Sequence, residues 1–171
     1  MLISPLARLL LAALALALGA WLLAEGSPFG WAGVAACGLF VWGWLRTGAV
    51  PLAFRAFQRR DLPAMRRWLA QIVFPGLLGP RNRAYYHWLR AVELAARGER
   101  GRARVHAERA AAGRVPSAND RALVHCLAAE LAAGEGDAEA VARHLAAARE
   151  AGGDEAVRRL VARTAARLGG A

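Results

Sequence analysis

The sequence predicts an all-α protein in two parts, a hairpin of two apolar helices followed by a stack of antiparallel helix pairs. Three observations carry this reading. The first 45 residues hold only two charges, Arg8 and Glu25. Everything after Arg46 alternates charged and apolar residues in the manner of amphipathic helices. Finally, turn-like pairs recur at Arg60-Asp61, Gly98-Glu99 and Gly136-Asp137, 38 residues apart both times, and a fixed period of this size marks stacked supersecondary units.

The first part contains two uncharged runs, residues 9–24 and 26–45. A bilayer core of about 30 Å requires about 20 helical residues at a rise of about 1.5 Å each. The second run meets that length, and the first meets it by borrowing residues 2–7 if Arg8 reaches toward the headgroups. Between them, Glu25-Gly26-Ser27-Pro28 is a turn signal. Residues 1–46 are therefore expected to be a transmembrane hairpin with spans at 4–24 and 28–46. The competing reading of the first run is a cleaved signal peptide ending near Ala17-Leu18-Gly19, against which the apolar stretch continues through Trp21-Leu22-Leu23. The sequence leaves open whether that run is retained.

Arginine sets the expected orientation. The loop between the spans has none, while Arg46, Arg55, Arg59, Arg60, Arg66 and Arg67 follow the second span and Arg8 precedes the first. The positive-inside rule then puts both termini in the cytoplasm of a bacterial inner membrane. Trp31, Trp42 and Trp44 fit an interfacial belt. Ala32, Gly33, Ala36 and Gly38 offer a small-residue face for the other span.

Residues 47–171 are expected to form a helical domain. Aligning the three turns brings other positions into register: Ala53, Ala91 and Ala129 before them, then Met65, Ala103 and Val141, Leu69, Ala107 and Leu145, and Ile72, Ala110 and Ala148 after them. Helices are expected at 84–96 and 102–112, and again at 122–133 and 138–148. Segments of that length joined by a few residues are antiparallel pairs. The repeats span about 49–74, 82–113 and 119–151. Asp120 and Asp137 suit helix starts. After Gly152-Gly153, Asp154 opens a last helix over 154–168, whose Val157, Leu160, Val161, Ala165 and Leu168 form one apolar stripe, as a capping helix would.

A small residue seven before a Gly-Asp-like turn, an apolar one five after and Ala twelve after together resemble the tetratricopeptide repeat (TPR) superfamily, as found in small membrane-anchored bacterial proteins. The stretch Ala84-Tyr85-Tyr86-His87-Trp88-Leu89-Arg90-Ala91 and the third repeat carry the likeness best. Arg60 in place of the turn glycine, Pro63 after it, and a period longer than the usual about 34 residues depart from the pattern. The resemblance implies an α-solenoid of about three helix pairs that holds a protein or peptide partner in a groove lined by the first helix of each pair. On the matching positions, it implies Tyr85, Trp88 and Val92 in the second repeat and Leu123, Cys126 and Glu130 in the third; the rings of Tyr85 and Trp88 fit packing against the neighbouring helix pair equally well. The basic clamp that some members use for acidic peptide termini is not recognisable.

Charge suggests a second kind of contact. Residues 46–109 carry 14 Arg against 4 acids, whereas residues 110–171 carry 8 of each. The basic membrane-proximal face, with Arg55, Arg59, Arg60, Arg66 and Arg67, fits the anionic inner leaflet of the lipid bilayer, at about 1 kcal/mol per well-placed cation. An acidic partner ranks second and RNA last, since no nucleic-acid motif accompanies the charge.

No phosphate loop, nucleophile elbow or paired-carboxylate motif is present, so neither catalytic residues nor a cofactor is expected. His87, His106, His125 and His144 stand 19 residues apart, half the repeat period. Duplication explains that spacing, and no acid or Cys sits with them at ligand spacing, so no metal is expected. Cys37 and Cys126 fall in different parts and predict no disulfide.

Overall fold

The computed structural model describes residues 5–169, and the described part is helical, with no strand. The beginning of the first expected span at residue 4 and the tail past residue 169 lie outside the described residues, as does the side chain of Arg8.

Helices α1 (Pro5–Ala24) and α2 (Gly30–Thr47) pack against each other. Gly26, at φ +75°, ends α1 in the left-handed conformation that glycine adopts without strain. Its neighbour Ser27 donates to the Leu22 carbonyl at 2.9 Å, closing the turn. The two backbones then touch through glycines: a Cβ on Gly33 would lie 2.6 Å from the Gly19 Cα, and one on Gly30 would lie 2.5 Å from the Gly19 carbonyl oxygen. Of the expected small-residue face, Gly33 is therefore at the contact. Ala32 and Gly38 are exposed, and nothing lies near Gly38. They differ from Gly33 because a stripe is set by helical rotation, which carries those two positions to the outside.

The outer faces of both helices present large apolar side chains, among them Leu10, Leu14, Trp21, Trp31, Leu39 and Trp42. By length and composition, one helical stretch, Gly30–Gln58, is long and apolar enough to cross a membrane; the shorter apolar stretch Leu10–Ala24 lies beside it.

Gly48, at φ +56°, breaks that stretch between α2 and α3 (Val50–Gln58). Helix α4 (Leu62–Ala70) returns along α3, and a 3-10 turn at Pro75–Leu77 leads to α5 (Pro80–Ala96). The start of α5 is tied to the last turn of α2, where the Arg46 carbonyl accepts from the Gly79 N–H at 2.9 Å and from Asn82 Nδ2 at 3.0 Å. Helices α6 (Arg100–Ala111), α7 (Ala118–Ala133), α8 (Ala138–Ala151) and α9 (Glu155–Gly169) complete the order. Packing runs α3 on α4, α5 on α6 and α7 on α8 within pairs, α6 on α7 between them, and α9 on both α7 and α8.

The 38-residue period is physical. Arg60, Gly98 and Gly136 all have positive φ, at 59°, 80° and 74°. The next residue donates across the turn in each case, Asp61 to Ala56 at 2.9 Å, Glu99 to Leu94 at 3.0 Å and Asp137 to Ala132 at 3.1 Å. This is the paired hydrogen bonding that satisfies orphan carbonyls at a helix end. Asp61 and Asp137 then cap the following helices by accepting from the Ala64 and Ala140 N–H groups. Asp120 does not start its helix: Ser117 is the cap, accepting from the Asp120 N–H, because its shorter side chain precedes the first turn.

Ala53, Ala91 and Ala129 are fully buried where paired helices cross, as close helix approach requires of small residues. The largest core cluster joins α3, α4 and α5 through Met65, Leu69, Trp88 and Leu89. A second lies between α5, α6 and α7, and a third places Val161 of α9 against Cys126 and Ala148.

Candidate functional site

Periodicity gives each first helix an inner and an outer face, and the structure distributes the six groove positions between them. Trp88 is 3 % exposed, with its ring centroid 5.5 Å from Phe57 and 5.8 Å from Phe54. It is a core residue. Large rings are the best filling for the space between adjacent helix pairs, and α3 supplies matching rings there. Cys126 is buried against α9, Val92 and Leu123 are half-buried against the main cluster, and Glu130 is exposed and paired with Arg167.

Tyr85 occupies the border. Its ring stands edge-on to Phe54 at 5.0 Å, and its hydroxyl donates to Asp120 Oδ2 at 2.6 Å, linking α5 to α7. Burial, then the Asp120 carboxylate, pushes the Tyr85 phenol up to about 12. One edge of the ring lines an open cleft of about 430 Å³ between α3 and α5. Pro51, Phe54, Arg55, Gln58, Arg81 and Asn82 line that cleft with it, beside Val50, and the Arg81 guanidinium lies over the Tyr85 ring at 6.0 Å. Arg81, Asn82 and Gln58 were not singled out from the sequence. The signal that finds them is their position one turn from Tyr85 and Arg55 on facing helices.

The five arginines of the basic face are not one patch. Arg55 lines the cleft, whereas Arg59 and Arg60 sit at the turn between α3 and α4, at the end of that pair away from its joint with α2. Arg66 lies 4.0 Å from the buried carboxylate of Glu93, which also holds Arg90 at 2.5 Å and Arg97 at 2.6 Å. Arg67 is exposed.

The histidines meet in two pairs. His87 Nδ1 lies 3.0 Å from His106 Nδ1, and His125 Nδ1 lies 3.1 Å from His144 Nδ1. Each contact requires one ring to donate and the other to accept. In the second pair, His144 Nε2 is 3.0 Å from Glu108 Oε1, so in the neutral ring the proton belongs on Nε2 and His144 Nδ1 accepts from His125. Burial first, then the partner ring, pushes His87 down to about 4 and also lowers His125. Burial and nearby arginines lower His106. Among the described residues, no group of three or more His, Cys, Asp and Glu side chains is placed to hold a metal ion.

Comparison with family models gave no match, and comparison with curated proteins and with solved structures gave none either.

Proposed function

We propose that the protein is a membrane-anchored scaffold of TPR-like repeats that holds a segment of a partner protein by binding alone, without catalysis. In this reading, α1 and α2 cross a bacterial inner membrane as a hairpin and leave the α3–α9 array in the cytoplasm. The apolar outer faces of α1 and α2 support the anchoring, since so much exposed large apolar surface is unfavourable in water and favourable in lipid.

The observation that carries the binding reading is the cleft between α3 and α5. It combines an aromatic edge, Phe54 and Tyr85, with the cations Arg55 and Arg81 and the amides Gln58 and Asn82. That composition suits a segment with an apolar anchor and an acidic neighbour. The anchored chain carrying Arg55→Glu and Arg81→Glu should lose at least about tenfold in partner recovery after crosslinking in membranes, given the cost of juxtaposing like charges. A chain with Arg149→Glu and Arg163→Glu, carrying the same charge change, should not. Equal recovery from both would overturn the groove. The orientation has its own check: a phosphatase fused after the C-terminal residue should be inactive, and periplasmic activity would overturn it.

Leaflet contact is the second reading, and one observation favours it. Val73, Phe74 and Leu77 are exposed apolar residues in the segment that packs beside the end of α2. Such a collar fits the interfacial region of a bilayer, where Arg46, stacked on Trp42 at 5.4 Å, also suits the headgroups.

A further inference from the structure

The second helix pair carries a basic cleft that the third pair lacks. Its floor is made of small residues, Ala84 of α5 against Ala112 and Gly113 at the end of α6. The approach is close: a Cβ on Gly113 would come within 2.7 Å of the Ala84 Cβ. Arg83, Arg109 and Arg114 form the walls with His87, around about 410 Å³.

Among the described residues, no carboxylate lines this space. Elsewhere on and beside α5 and α6, Arg90 and Arg97 hold Glu93, Arg102 holds Glu99, and Arg104 holds Glu135 and Asp137. Among the described residues, none forms an ion pair or a side-chain hydrogen bond with Arg83, Arg109 or Arg114. Three guanidiniums around one concavity repel each other, and the field they focus there favours an anion.

The repeat provides an internal comparison. Adding 38 to each position gives the equivalent site of the third pair, where Arg121 stands for Arg83 and His125 for His87. Arg109 becomes Ala147, Arg114 becomes Gly152, and the floor residue Ala112 becomes Glu150. The same helix pair therefore folds without the second and third cations and with a carboxylate at the floor position. The fold does not require the basic triad.

Its placement narrows the ligand. The cleft opens at the start of α5 and the end of α6, and Gly79 and Asn82, at that same start, are tied to the Arg46 carbonyl at the last turn of α2. If α2 crosses the bilayer, that level is the headgroup layer.

We propose that this cleft binds a phosphate group through Arg83, Arg109 and Arg114. The fork of a guanidinium matches the oxygens of a phosphate in bidentate fashion. An anionic phospholipid and a soluble phosphorylated molecule are the two sources of that chemistry. Only the lipid source rests on the anchored reading. Phosphate binding itself stands without it, so failure of the phosphatase-fusion test would leave this site intact.

The test uses the full chain in neutral detergent. Its probes are phosphatidylcholine with and without phosphatidylglycerol, and inorganic phosphate. Binding is read as lipid retained in native mass spectra and as a shift of the thermal midpoint. The variant Arg83→Gln, Arg109→Gln, Arg114→Gln should bind at least about tenfold more weakly, whereas Arg121→Gln, Arg149→Gln, Arg163→Gln, with the same loss of charge, should change by less than about twofold. Selective retention of phosphatidylglycerol identifies the lipid as source, and an equal response to inorganic phosphate identifies a soluble ligand. Equal weakening in both variants, or a native chain that responds to neither phosphate probe, overturns the site.

Helix content by circular dichroism accompanies every variant. If the triple variant loses helix, Arg109→Gln and Arg109→Lys replace it. The first should weaken binding, and the second should weaken it less, because an ammonium keeps the charge but not the fork. Native binding by Arg109→Gln overturns the proposal.

Discussion

Arg60 holds a backbone conformation that its side chain resists. At φ 59° it occupies the left-handed region that Gly98 and Gly136 enter in the equivalent turns, and an L-residue there costs roughly 1–2 kcal/mol relative to glycine. Part of that is offset by the greater freedom of glycine in the unfolded chain. Arg60→Gly should therefore stabilise the protein by about 0.5–1 kcal/mol, and Gly98→Val should destabilise it by about 1 kcal/mol or more. Thermal midpoints of the two variants decide the matter, and a lower midpoint for Arg60→Gly would contradict it.

The histidines give a pH dependence with a definite sign. His87, His106 and His125 are all lowered in the folded state, so below their ordinary value of 6.5 the unfolded chain takes up protons that the folded chain does not. The stability they confer is complete above 6.5. It declines as the pH falls, and His87 stops contributing to the decline near 4. Midpoints measured from neutral pH to about 4.5 should fall more steeply for the native chain than for His87→Asn with His125→Asn, since the amide does not titrate. Parallel curves would show that the pairs are not coupled to folding.

At the scale of elements, the all-α class was legible because the apolar residues recur at helical spacing and the turns carry Gly or Asp at positions with specific backbone demands. What was not legible is which neighbour covers each face. Trp88 reads equally as a groove anchor and as packing against the neighbouring pair until Phe54 and Phe57 are seen across from it, and Asp120 reads as a helix start until the Tyr85 hydroxyl is seen to reach it. The cleft-lining Arg81 precedes the repeat expected at 82–113 and Asn82 falls at its edge, both ahead of the helix expected from 84, where local pattern is weakest. Within an apolar run, likewise, a glycine that touches another backbone looks like one that touches nothing. Gly33 and Gly38 differ only in that respect. Gly33→Leu should force α1 and α2 apart, while Gly38→Leu should leave them in place; crosslinking between cysteines introduced on the facing helices separates the outcomes. Equal crosslinking in both variants would contradict the contact.

Across the whole molecule, charge and register are arranged unevenly. The net charge of +10 comes from the half nearer α2, and the C-terminal half is balanced. The register, by contrast, continues to the end. Helix α7 starts 38 residues after α5, and α9 starts 37 after α7, so α9 takes the position of a first helix in that register. It meets α7 through Val161, beside Cys126 and Ala148, and Asn119 is bonded to Asp154 at 2.7 Å across the same boundary. Helix α9 thus stands on the ladder as the first helix of a rung. A cassette copying residues 117–153, spliced in before Asp154, should lengthen the ladder by one rung while its two ends stay as they are. The length of such a protein is then an adjustable dimension, set by how many cassettes the gene carries.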